Sequence, residues 1–100
     1  MITRIFRVKI YPELREEFEP KFSSVSVQAV LTQSGFVSVN IGKPTKWDPD
    51  EYVMISQWEN EASLVKFVGE SWNEAYIPEG MERYVKECWV HHYNDFNSAK

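Results

Sequence analysis

Apolar residues alternate with polar or charged ones from Ile2 to Tyr11, a run rich in β-branched and aromatic side chains. A period of two predicts a strand. It sends Arg4, Phe6, Val8 and Ile10 to one face and Ile5, Arg7, Lys9 and Tyr11 to the other. Pro12 ends the run and suits a helix start, with Glu13, Glu16 and Glu17 where a helix dipole favours acids. From Leu14 the spacing changes to steps of three and four. Leu14, Phe18, Phe22, Val25 and Ala29 then share one helical face. Pro20 lies inside that helix without the N–H an interior turn needs, so a kink or short break is expected there. Gly35 is the expected stop.

Alternation returns in Phe36 to Gly42, the second strand, with Val37, Val39 and Ile41 on one face and Phe36, Ser38 and Asn40 on the other. Lys43 to Asp50 carries two prolines and no period, a loop exposing Trp47. Glu51 to Trp58 is the third strand, with Tyr52, Met54, Ser56 and Trp58 sharing a face. Asn60 caps a helix bearing Leu64, Val65, Phe67 and Val68, and Gly69 ends it. Ser71 is read as the cap of a second short helix, Trp72 to Tyr76, stopped before Pro78. Met81, Tyr84 and Val85 suggest one more turn before a last strand, Lys86 to Tyr93, and from Asp95 the chain should fray. The order is β-α-β-β-α-β, an α+β arrangement with a four-stranded sheet in a single domain over residues 1–100.

That arrangement has an unbalanced surface. Val53 and Ile55, with Val37, Val39 and Ile41, make the sheet face opposite the aromatic set apolar as well. Two helices cover one face only. A bare apolar face is avoided by soluble monomers, so a homodimer through the sheet is expected. Aromatics at 15% of 100 residues strengthen the case, because a domain this small stays marginal unless more area is buried.

Charge narrows the partners. The net charge is -4 and the cations are scattered, which argues against nucleic acid. Arg4, Arg7 and Lys9 interrupt the apolar start, and no run approaches the ~20 apolar residues a membrane span needs. A single cysteine, Cys88, allows no internal disulfide and reads as a small buried hydrophobe in a cytoplasmic protein. No metal site is expected.

No compact catalytic motif is present, so candidate chemistry rests on constellations. His91 and His92 are adjacent on a strand and point to opposite faces. One of them can face a pocket, and spacing does not say which. Trp58, Met54 and Ser56 share a face; Trp72 and Tyr76 stand one helical turn apart. With Phe6 and Phe67 these residues wall an aromatic pocket or simply pack a core. Arg4, Asn40, Ser56 and one histidine are the polar groups within reach. Arg4, a cation alternating with Phe6 and Val8, needs a partner or a cavity.

The segment EYVMISQWENEASLVKFVGESWNEAYIP followed by GMERYVKECWVHHY resembles the antibiotic biosynthesis monooxygenase family. Glu51-Tyr52-Val53, Trp58-Glu59, the Arg4 to Arg7 opening, the Ser34-Gly35-Phe36 turn and the final His92-Tyr93 carry the likeness. It implies a ferredoxin-like domain that dimerises through its sheet into an α+β barrel. It also implies a cofactor-independent monooxygenase acting on an aromatic or quinol-like small molecule. Trp58, His92, Tyr76 and Arg4 would then be catalytic, and Phe6, Met54, Ser56, Phe67 and Trp72 would hold substrate. No cofactor is expected; the expected partners are a second copy and a small hydrophobic or aromatic ligand. Met54 stands where cofactor-free members carry an asparagine. A dimeric binding module without catalysis is the alternative. Haem binding or degradation is a third reading, in which Phe6, Phe67 and Tyr76 replace that branch's asparagine, tryptophan and histidine.

Overall fold

In a computed structural model, which describes residues 1–96, the alternating runs become four strands: β1 (Ile2–Ile10), β2 (Phe36–Gly42), β3 (Glu51–Trp58) and β4 (Val85–Asn94). They pair antiparallel in the order β2-β3-β1-β4. The helical pieces α1 (Arg15–Lys21), α2 (Val27–Leu31) and α3 (Glu61–Val68) pack on one face, giving a ferredoxin-like α+β fold. The core lies between these layers. Phe18 packs against Phe22, Tyr52 and Tyr84 at one end, and Trp58 sits between Phe36 and Phe67 at the other.

The first helix keeps its direction but changes its face. Pro20 cannot donate to the ladder, and the hydroxyls of Ser23 and Ser24 compete for its carbonyl at 3.1 and 2.8 Å. The chain relaxes into a π-helical turn over Phe22–Ser26. One extra residue in that turn moves the buried position from Val25 to Ser26, and from there to Val30. Val25 is left 41% exposed, against the expected apolar face. Pro20 therefore causes a bulge where a kink or break was expected.

Two further expectations are corrected. A bulge near Val37 shifts the register of β2, so Phe36 opposes Trp58 while Val39 and Ile41 oppose Ser56 and Met54. Opposed residues share a face. Val39 and Ile41 thus pack toward the helices and not on the open face. Second, Trp72 to Tyr76 forms no helix. One turn closes between Ser71 and Glu74 (2.9 Å), and the chain then runs without regular structure to Pro78. So few residues do not nucleate a helix, and the residue before a proline prefers extended backbone. A 3₁₀ turn, Glu82–Tyr84, leads into β4.

Most other signals are where they should be. The Asn60 carboxamide oxygen accepts from the backbone N–H of Ser63 at 3.0 Å, capping α3. α2 ends at Leu31, short of the expected stop; Gly35 lies in the turn that follows, with φ +82°, and a Cβ there would meet the Ser63 hydroxyl at 1.9 Å. Only glycine fits this turn. Trp47 is 80% exposed. Asp95 and Phe96 lie beyond β4 without regular structure, although Asp95 bonds to Met1 and Thr3; the rest of the expected frayed end lies outside the described residues.

The open sheet face carries Ile5, Val53, Ile55 and Trp89, each half-buried. Arg7 forms a two-point ion pair with Glu51 (2.9 and 3.1 Å) and lies 5.0 Å over the Trp89 ring. The buried hydrophobic residues of the helices, Phe18, Phe22, Val30 and Leu64, all belong to the other side. Among the described residues no helix is long and apolar enough to cross a membrane.

Candidate functional site

Alternation along β1 turns Arg4 and Phe6 inward, and alternation along β3 does the same for Met54 and Ser56. The π-turn and α2 face them with Ser26, Ala29 and Val30. Phe67 from α3 and Tyr76 and Pro78 from the following segment close the far side. Together they enclose a cleft in which the space open to the centre of a water molecule is about 40 Å³. The walls are mostly apolar. Arg4, Ser26, Ser56 and Tyr76 are the polar exceptions.

Arg4 is 5% exposed. Its Nη1 donates to the carbonyl of Trp72 at 2.9 Å and lies 2.8 Å from Nε2 of His92; its Nη2 reaches the Glu74 carbonyl at 3.4 Å. The Trp72 carbonyl is free because residues 72–76 are not helical; that of Glu74, four residues before Pro78, would be free at a helix end as well. Arg4 thus ties the segment 69–80 to the sheet. Burial holds its guanidinium down to about 10.

The registers settle which histidine points inward. Arg4 opposes His92 across β1 and β4, while Ile5 opposes His91, so His92 lies on the inner face and His91 is exposed on the open one. His92 packs edge-on against Trp72, ring centres 4.6 Å apart. Burial first, then the positive charge of Arg4 and that of His91, push its pKa down to about 4. Beside a permanent cation, His92 is neutral at pH 7 and accepts at Nε2.

The candidate residues therefore divide. Arg4, Phe6, Met54, Ser56, Phe67 and Tyr76 meet around the cleft. Trp58 is fully buried behind them, its indole N–H donating to the Ser56 hydroxyl at 2.9 Å. His92 and Trp72 stand behind Arg4 rather than in the cleft wall. Asn40 is exposed on the open face. Ser26 is a wall residue that periodicity missed, because its position depends on the π-turn. Pro20 was the available signal. Cys88 is half-buried, and burial raises its thiol pKa, which fits a packing role. Among the described residues no three His, Cys, Asp or Glu side chains converge as metal ligands.

The fold has many counterparts of low sequence identity. A protein of Deinococcus radiodurans proposed to be an antibiotic biosynthesis monooxygenase has a TM-score of 0.75 at 10% identity, over 100% of this chain and 97% of that one. The haem-degrading MhuD of Mycobacterium tuberculosis, solved with two haems in its active site, has a TM-score of 0.73 at 13% identity, with 100% of each chain covered. A conserved protein from Methanosarcina mazei has a TM-score of 0.71 at 17% identity, over 95% of this chain and 92% of that one. At these identities the likeness is one of fold. No curated protein matches the sequence. The family model for antibiotic biosynthesis monooxygenases matches residues 1–76.

Proposed function

This chain belongs to the antibiotic biosynthesis monooxygenase family, and from there we propose that it is a cofactor-independent monooxygenase acting on a small aromatic, quinol-like molecule. The observation that carries this reading is the cleft, an apolar slot between helices and sheet with Arg4 and Tyr76 at its polar edge. A phenolic ring lying between Phe6 and Phe67 would direct its oxygen toward Arg4. Once the phenol has lost its proton to solvent, the buried guanidinium would stabilise the phenolate, and that electron-rich anion would itself reduce O₂: one oxygen atom enters the ring, the other leaves as water with two of the substrate's hydrogens, and the ring ends as a quinone. Tyr76 would orient the oxygen. His92 and Trp72 would act from behind by holding Arg4, and Trp58 by fixing the Ser56 hydroxyl.

Room for a bicyclic ring would require the segment 69–80 to swing outward, since the cleft as it stands offers space for little more than water-sized molecules. Oxygen uptake with a panel of naphthols and quinols tests the reading. Turnover should appear with at least one member and fall about 10–100-fold in Tyr76→Phe. No uptake above the buffer rate from any member would end the enzymatic reading.

One observation favours a second reading, a ligand-binding module without catalysis. His92, the side chain best suited to move a proton, already faces Arg4 and lies outside the cleft wall. This reading expects ligand-dependent thermal stabilisation and no product. Haem is a poor fit: no imidazole lines the cleft, and Phe6, Phe67 and Tyr76 occupy the three positions that matter in the haem-degrading branch. We also propose that two copies pair through the open sheet face in a cytoplasmic setting.

A further inference from the structure

We propose that Ser26, carried inward by the π-turn, is the hydrogen-bonding residue that makes the cleft select a planar ligand with two oxygens over one with a single oxygen. The inference rests on the cleft being a ligand site, as read above, and concerns which ligand it takes.

Ser26 stands at a waist. It lines the cleft beside Arg4 and also a second void beyond it, and Phe6 and Pro78 are common to both. Apart from Ser26, the second void is walled by apolar residues, among them Val8, Phe22 and Met81. Ser26 is only 9% exposed, and its hydroxyl is not among the fully buried polar atoms that lack a partner. Ser23 and Ser24, three and two positions earlier, both donate to the Pro20 carbonyl. What is exposed of Ser26 opens onto the voids it lines, where a ligand oxygen can meet its hydroxyl.

The π-turn is what puts it there. A continuous α-helix would share the inward side between Val25 and Ser26, at i+3 and i+4 from Phe22. The wider turn gives that side to Ser26 and leaves Val25 exposed. Turns of this kind recur where a helix serves a site.

At the other end Arg4 has five N–H donors, and the bonds to Trp72, Glu74 and His92 occupy three. Nε–H and one Nη2–H remain for a ligand. Arg4 and Ser26, on different elements of a mostly apolar wall, suit a ring that carries two oxygens. The void past Ser26 suits a short aliphatic substituent on that ring.

Anaerobic titration by tryptophan fluorescence with 1,4-dihydroxynaphthalene and 1-naphthol tests this directly. The wild type should bind the two-oxygen probe about tenfold more tightly. Ser26→Ala should lose that preference while binding 1-naphthol unchanged. Val25→Ser, one position away on the exposed side, should keep it. Thermal unfolding separates a site residue from a structural one: the melting temperature of Ser26→Ala should stay level or rise. A preference that survives Ser26→Ala, or a marked fall in its melting temperature, overturns the role of Ser26 and leaves the cleft standing. Failure of the wild type to bind either probe removes the ligand site itself, and this inference with it.

Discussion

His92 shows how one register decides chemistry. Its alternation with His91 is legible from adjacency alone, but which of the two turns inward depends on the pairing of β4 with β1, and no local pattern encodes that pairing. The need of Arg4 for a partner was equally legible. The partner was not, because the carbonyl of Trp72 becomes available only where the expected helix fails. The pair has a consequence in pH. His92 titrates near its ordinary 6.5 in the unfolded chain and near 4 in the folded one. Between those values the unfolded chain takes up a proton that the folded chain refuses, so stability falls as pH drops through the window and returns as pH rises above it. The urea midpoint of the wild type should therefore decrease from pH 7 to pH 5. His92→Gln, which keeps an acceptor for Arg4 without titrating, should remove most of that decrease; equal slopes in both proteins would assign the effect elsewhere.

At the level of elements, strong periods were read correctly and short or irregular ones were not. β1, β3 and α3 lie within a residue or two of their expected bounds, since each has a sustained period and α3 a clear cap at Asn60. β2 was placed correctly but with most of its inner face misread, because a bulge at Val37 reverses alternation and leaves no compositional mark. The π-turn has a cause in Pro20, yet its effect on the face follows only from the number of residues it absorbs. Residues 69–80 are the weakest element. They have two closed turns, at Ser71–Glu74 and Pro78–Met81, and no fully buried side chain, and are held largely by Arg4 and by Phe67 against Tyr76. Arg4→Lys keeps the charge but loses the fork that spans two carbonyls and an imidazole. It should lower stability by about 1–3 kcal/mol and speed amide exchange at residues 70–78, with little change in β1 and β3. Uniform acceleration over the whole sheet would show that Arg4 supports the core rather than this segment.

For the whole molecule the decisive quantity is the face the helices leave open. Moving Val39 and Ile41 to the inner side shrinks the apolar patch from the expected five residues. What remains is a central strip of Ile5, Val53 and Ile55, flanked by Trp89 beneath Arg7 and by the ion pair to Glu51. That pattern, an apolar middle with an aromatic and a fixed charge at the margin, is what the proposed pairing of two copies needs. It also gives pairing an orientation, since each Arg7–Glu51 pair must stay at the wet rim or be desolvated at a cost. A second copy supplies a surface of the same kind by symmetry, and a self-complementary strip favours a twofold arrangement. Sedimentation equilibrium at micromolar concentration should give twice the chain mass. Ile55→Glu, which puts a carboxylate in the middle of the strip, should raise the dissociation constant by more than about tenfold, ~1.4 kcal/mol or greater. Glu87→Gln, on the outer edge strand, should leave it within about twofold, as a rim charge does. A wild type that sediments as one chain would mean that this strip stays in water, and the argument from its apolar residues to pairing would fail.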